Sequence, residues 1–230
     1  MMFYISEYLR GAYHANAGRE AARSEILHPS LGSDIAADAN RARSEVRARH
    51  RIVSASAMAR HKNVETLLVA LSIVRSRDAI PAELLLIGGW PDPAYEHEMR
   101  KRAEQLGVAE AVTWTGHVPR RELLSHYAAA RVFCSMSRCE SFGIPAVEAQ
   151  AFGTPVVCSN RGAIPEACGA GGLYVEPDDA TGAAKALAEL MTDYATWNRY
   201  SQAAMKNAQE YVGDAASRPL LKMFEISGRR

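Results

Sequence analysis

From Arg51 onward, short runs of β-branched and other apolar residues alternate with longer amphipathic segments. This is the pattern of successive βαβ units, which build a parallel sheet covered on both faces. Strands are predicted at Arg51–Ala55, Glu83–Ile87, Val112–Thr115, Val132–Ser135, Pro155–Cys158 and Gly172–Val175. Their apolar continuity suits strands buried on both sides. Helices are predicted between them at Val64–Arg75, Ala94–Leu106, Arg120–Ala129, Pro145–Phe152 and Thr181–Met191, with two more at Trp197–Tyr211 and Ala215–Ile226. The expected fold class is a doubly wound, Rossmann-like α/β domain.

The first fifty residues break this rhythm. Phe3–Ile5 and Ile26–His28 read as strands, yet no sheet in that segment is large enough to bury them. They are expected to lean on the main domain or on something beyond it. Ser30-Leu31-Gly32-Ser33-Asp34 has linker chemistry, and the Ala- and Arg-rich stretch up to His50 predicts a helix. The boundary falls near Pro29, dividing the chain into a leading segment 1–29, a linker 30–50, a main domain 51–212 and a terminal helix within 213–230. No internal repeat stands out.

Composition removes several function classes. With 27 Lys plus Arg against 26 Asp plus Glu, the net charge of +1 gives no electrostatic case for nucleic acid. The longest apolar run, around Leu84–Ile87, is far too short to cross a bilayer. The opening residues lack a basic leader and a long apolar core. A cytoplasmic location is expected, with peripheral contact to a membrane left open. Cys134, Cys139, Cys158 and Cys168 form no CxxC pair, and His61, His117 and His126 show no metal-ligand spacing. Buried free thiols and no metal site are expected.

The most informative stretch runs from Cys134 to Val157 and reads strand, loop, helix, turn, strand. Gly143 frees the backbone for a close approach, Pro145 suits a first helical turn, and Gly153 stops the helix before Pro155. The amino end of this two-turn helix lies at the carboxyl edge of a parallel sheet, where such folds bind phosphate. The amides of Phe142, Gly143, Ile144 and Val147, together with Ser141, become candidate ligands of a diphosphate. Glu140 and Glu148 bracket that anion site. A carboxylate beside a phosphate repels it unless the carboxylate faces another part of the ligand, and sugar and ribose hydroxyls are suitable donors to it. Plainer readings exist: Glu140 as a solvated loop charge, and Glu148 as a residue favouring the helix dipole. Spacing by itself does not choose between them.

Glu140, seven intervening residues and Glu148, set in the frame ESFGIPAVEAQAFGTPVV, resemble the EX7E signature of glycosyltransferase family four. The resemblance extends to His61-Lys62-Asn63, Trp114–Pro119, Gly162–Glu166 and Gly172–Val175, covering roughly residues 51–212. Weaker similarity joins Ile5–Arg10 and Ile26–Pro29 to the end of the family's amino-terminal domain and its interdomain linker.

The resemblance implies the donor-binding half of a retaining, two-domain GT-B glycosyltransferase, with most of the acceptor half absent. It makes Glu140 the contact to the donor sugar's hydroxyls, Glu148 the ribose ligand and Lys62 a ligand of the diphosphate. The loop with Gly116, His117 and Val118 would lie near the nucleobase. Read alone, Lys62 is better taken as a surface lysine at a helix start, where the dipole disfavours a cation. Many family members carry Gly-Arg shortly before that lysine, whereas this chain has Ala55-Ser56-Ala57. Arg60 or Arg138 would then complete the phosphate clamp, unless both are solvated loop arginines. Glu166 is expected to cap or pair within its own loop.

No cofactor is implied. The donor substrate is a nucleotide diphosphate sugar, and the acceptor is a sugar or a lipid-linked molecule. The expected partner is an amino-terminal acceptor domain or a second copy of the chain. On this division of labour, Glu140→Ala spares binding of the bare nucleoside diphosphate, and Glu148→Ala weakens every nucleotide ligand. The rival function is a nucleotide-sugar-binding module with no turnover of its own.

Overall fold

The computed structural model describes residues 2–17, 24–32, 35, 38–39 and 47–213. Within them the elements are β1 (Met2–Tyr4), α1 (Glu7–Ala17), β2 (Ser24–Ile26), β3 (Arg51–Ala55), α2 (Val64–Ser76), β4 (Glu83–Ile87) and α3 (Pro93–Gln105). There follow β5 (Val112–Gly116), α4 (Arg120–Ala129), β6 (Val132–Ser135), α5 (Ile144–Ala151), β7 (Val156–Ser159), α6 (Ile164–Cys168), β8 (Gly172–Val175), α7 (Ala180–Thr192) and α8 (Tyr194–Ala208). The helix predicted over Ala215–Ile226 lies outside the described residues, as does most of the Ala- and Arg-rich stretch for which a helix up to His50 was predicted.

The six strands β3 to β8 form one sheet in the order β5-β4-β3-β6-β7-β8, and every pairing in it is parallel. Alternate residues of each strand enter opposite cores. Ile52, Leu84, Leu86, Val132, Cys134 and Val157 pack under α2, α3 and α7. Val53, Leu85, Ile87, Phe133, Val156 and Cys158 pack under α4, α5 and α6. The apolar runs noted in the sequence are therefore strands covered on both faces, as a doubly wound sheet requires. In α2 the buried Val64, Leu67, Leu68, Leu71 and Val74 recur at helical spacing, so one stripe faces the sheet. Each such side chain contributes about 1.5–3 kcal/mol by leaving water.

The two leading strands pair with each other in parallel register, Met2 to Ser24 and Tyr4 to Ile26, and α1 crosses between them. The expectation of strands is met one residue earlier than predicted for the first and two residues earlier for the second. The helix α1 was not foreseen.

Strand order fixes where a ligand can sit. The chain runs outward from β3 through β4 to β5, then returns to the other side of β3 with β6. Loops leaving the carboxyl ends of β3 and β6 therefore diverge, opening a crevice at that switch point, the position where open α/β sheets bind ligands.

Candidate functional site

The loop after β3 delivers Lys62 through a single 3-10 turn, Arg60–Lys62, that ends at Asn63 in left-handed conformation (φ 56°). Asn63 is held there from both ends of its amide. It donates to the Pro177 carbonyl at 2.7 Å and accepts from the Thr66 hydroxyl at 2.9 Å. The loop after β6 delivers Glu140. It is tied to the Lys62 loop by the Arg138 amide, which donates to the His61 carbonyl at 2.8 Å, and by the Ser137 hydroxyl, which donates to the same carbonyl at 3.2 Å. Because β3 and β6 are neighbours, these loops meet, and Lys62 Nζ donates to Glu140 Oε1 at 2.5 Å. The two side chains are only 16% and 17% exposed.

Glu148 lies within α5, one turn beyond its start, and its side chain is 9% exposed. Arg120, at the start of α4, donates to Glu148 Oε1 at 3.0 Å. Burial first, and then the charge of Glu148, push the Tyr127 hydroxyl well above its ordinary range. A cavity of about 210 Å³ opens here, lined by Ser56, Ala57, Gly88, His117, Tyr127 and Glu148 among others. Val118 and Pro145 also border it.

A larger hollow of about 490 Å³ lies between Arg47 and α8. Arg47 donates there to the Ala130 carbonyl at 3.0 Å and the Thr154 hydroxyl at 2.7 Å, residues that precede β6 and β7. That hollow is thus at the amino edge of the sheet, away from the switch point. Topology, and not volume, favours the smaller one.

The predicted residues divide into groups. Lys62 and Glu140 touch, while Glu148, His117 and Val118 share the cavity. Gly143 takes the left-handed conformation (φ 96°) at the start of α5, and its carbonyl accepts from the amides of Ala146 and Val147. The Val147 amide is therefore engaged within the helix. The Ala146 amide is likewise engaged and Pro145 has none, so the amides at the open amino end are those of Gly143 and Ile144. Phe142 is buried against the His28 and Tyr211 rings, and Ile144 is 43% exposed. Gly116 ends β5, with its carbonyl accepting from the Gly88 amide. Arg60 pairs with Glu98 at 3.0 Å and Asp92 at 3.4 Å, and Arg138 pairs with Asp178 at 2.7 Å. Both arginines are committed to acids in this arrangement.

Glu166 does not act within its own loop. Its two carboxylate oxygens accept the amides of Glu7 at 2.7 Å and Tyr8 at 3.2 Å, capping α1 from across the molecule. Beside it the Ser6 hydroxyl donates to the Ser141 carbonyl at 3.1 Å. Sequence reasoning missed Arg120, Tyr127, Ser6 and Gly88. The first two carried a weak signal, because they follow the Trp114–Pro119 stretch at helical spacing. Among the described residues no group of three or more His, Cys, Asp or Glu could hold a metal ion.

A six-stranded parallel sheet with an acid–lysine pair at its switch point is the arrangement of a doubly wound α/β protein, whose ligand site falls at that edge. Residues 38–207 match the family model of glycosyl transferases group 1, and the chain belongs to that family of enzymes. A GDP-mannose-dependent alpha-(1-6)-phosphatidylinositol monomannoside mannosyltransferase of Mycobacterium tuberculosis is 34% identical over 205 residues, covering 83% of this chain and 52% of the relative. An O-antigen chain mannosyltransferase B of Escherichia coli is 32% identical over 169 residues, covering 72% of this chain and 43% of that protein. The chain spans about half the length of the curated relatives it matches. The solved sucrose-phosphate synthase of Thermosynechococcus elongatus superposes with a TM-score of 0.77 at 26% identity, covering 99% of this chain and 58% of that one. HepE of Anabaena, solved with UDP and glucose, superposes with a TM-score of 0.81 at 18% identity, covering 97% and 62%, a likeness of fold alone. The architecture is that of one half of a GT-B glycosyltransferase. No helix among the described residues is long and apolar enough to cross a membrane.

Proposed function

We propose that this chain is the donor half of a retaining transferase that moves a hexose from a nucleoside diphosphate sugar to an acceptor. The observation that carries this reading is the meeting of Lys62 and Glu140 at the switch point, beside the cavity that holds Glu148. In it, Lys62 and the amides at the start of α5 disperse the charge growing on the departing diphosphate. Glu140 accepts hydroxyls of the donor ring as oxocarbenium character develops, and so acts most strongly at the transition state. Glu148, oriented by Arg120, accepts ribose hydroxyls. The base lies against the loop of Gly116, His117 and Val118. Arg60 and Arg138 assist at the phosphates only by exchanging their present acidic partners.

In this reading residues 51–212 are the donor domain, the β1-α1-β2 unit belongs to the acceptor side, and residues 30–50 join them. Because mannosyltransferases are among its relatives, GDP-mannose is the first donor to test. The acceptor is a sugar or a lipid-linked molecule. Calorimetric titration with GDP, UDP and ADP tests the site, with binding expected for at least one. Lys62→Ala should weaken it by about 1–3 kcal/mol through loss of one charge-assisted contact. Absence of binding up to millimolar concentration, about 4 kcal/mol, would reject the donor site. Retention is checked by the anomeric configuration of the product.

The second reading is a nucleotide-sugar-binding module without turnover of its own. Turnover measured with and without an added amino-terminal half of a relative separates the two.

A further inference from the structure

The ion pair between Lys62 and Glu140 bears on more than the placement of two residues. With both side chains about five-sixths buried, the pair is shielded from the water and salt that weaken surface pairs. In the unliganded chain the Glu140 carboxylate holds the ammonium that the proposed function assigns to a diphosphate. A diphosphate reaching Lys62 must therefore compete with Glu140. The nearby arginines are engaged elsewhere, Arg138 with Asp178 and Arg60 with Glu98 and Asp92. Ala57 stands where the family resemblance would put a further arginine.

The outcome of that competition depends on what the diphosphate carries. A nucleotide sugar brings hydroxyls that donate to the freed carboxylate, replacing the lost ammonium contact. A bare nucleoside diphosphate brings none, and its terminal phosphate adds negative charge close to Glu140. Resting on the donor-site reading, we infer that Glu140 is a specificity-determining residue that disfavours the nucleoside diphosphate product relative to the nucleotide sugar. The same side chain that holds the donor ring expels the spent leaving group by reclaiming Lys62. This reverses the expectation from sequence that Glu140 is silent toward the bare diphosphate.

The experiment measures dissociation constants of GDP and GDP-mannose, with UDP and UDP-glucose as a second pair, for the native chain and for Glu140→Gln. This change removes the charge and keeps the shape. Glu140→Gln should tighten the bare diphosphate about tenfold, as release of one charge-assisted partner predicts. The nucleotide sugar should gain nothing or lose affinity. In a Lys62→Met background the same change should tighten the bare diphosphate by clearly less than tenfold, since the competition no longer exists and only the direct repulsion between Glu140 and the terminal phosphate is relieved. Equal shifts for both ligands, or weaker GDP binding by Glu140→Gln, overturn it while leaving the donor site in place. Absence of binding by both chains overturns the donor-site reading, and the inference with it.

Discussion

Gly162 holds the loop of Glu140 by having no side chain. A Cβ built on it would lie 2.2 Å from the Glu140 carbonyl oxygen and 2.8 Å from the Glu140 amide nitrogen, where ordinary contact begins at 3.4 Å. Its φ of 68° is also left-handed. Gly162→Ala therefore carries two costs. The left-handed conformation costs about 1–2 kcal/mol for a residue with a Cβ. Relieving the overlap moves Glu140 by about an ångström and adds roughly 1–3 kcal/mol of overpacking. That displacement also strains the bond from the Ala163 amide to the Glu140 carbonyl, now 3.0 Å long. Gly107 supplies the control, since its φ is 69° and nothing lies within 4 Å of its virtual Cβ. Gly107→Ala should lose only the conformational part. Urea unfolding followed by circular dichroism gives both values. Gly162→Ala is expected to exceed Gly107→Ala by at least about 1 kcal/mol. Equal losses would refute the claim that Gly162 fixes the position of Glu140.

Glu148→Ala should weaken GDP and GDP-mannose alike, by about 1–3 kcal/mol, because a ribose contact is common to both. A loss confined to the sugar-bearing ligand in calorimetry would contradict its role. Arg120→Ala, by contrast, leaves Glu148 buried without this cation and should lower fold stability by roughly 1–3 kcal/mol in the same urea assay. A variant as stable as the native chain would show that the pair does not hold the carboxylate in place. For the thiols, burial pushes Cys168 up to about 12 and raises Cys134 and Cys158 as well. Only the exposed Cys139 should react quickly with a disulfide reagent at about pH 8, near the ordinary thiol pKa. All four cysteines should react after denaturation, and fast reaction of two in the native chain would contradict this.

The strands of the main sheet were legible because burial on both faces demands unbroken apolar runs, and such runs as Leu84-Leu85-Leu86-Ile87 leave little choice. Helix α1 was not read from the sequence: its segment Glu7–Ala17 has few apolar positions, Leu9, Ala12 and Tyr13 among them, and buries no residue. Helix α6 has five residues, Ile164–Cys168, too few to show a period. The glutamates were singled out because their spacing and frame resemble a family signature. Their partners were hidden, because Lys62 is 78 positions from Glu140 and Arg120 is 28 from Glu148. Only the side-by-side placement of β3 and β6 brings the first pair together, and local pattern carries no information on which strands become neighbours. The cap on α1 is subtler still, since Glu166 lies 159 positions from the Glu7 amide it accepts.

That cap makes Glu166 a rivet between two sheets. One side of it is the leading β1-α1-β2 unit, gripped at the amides of Glu7 and Tyr8. The other is α6, which follows directly from Ala163, whose amide donates to the Glu140 carbonyl. Ser6 grips the next residue of the same loop through the Ser141 carbonyl. A rotation of the leading unit must either shear these bonds or carry the loop of Glu140 with it. The loop of the carboxylate that faces Lys62 is thus fastened to the first helix of the chain at three points, the amides of Glu7 and Tyr8 and the hydroxyl of Ser6.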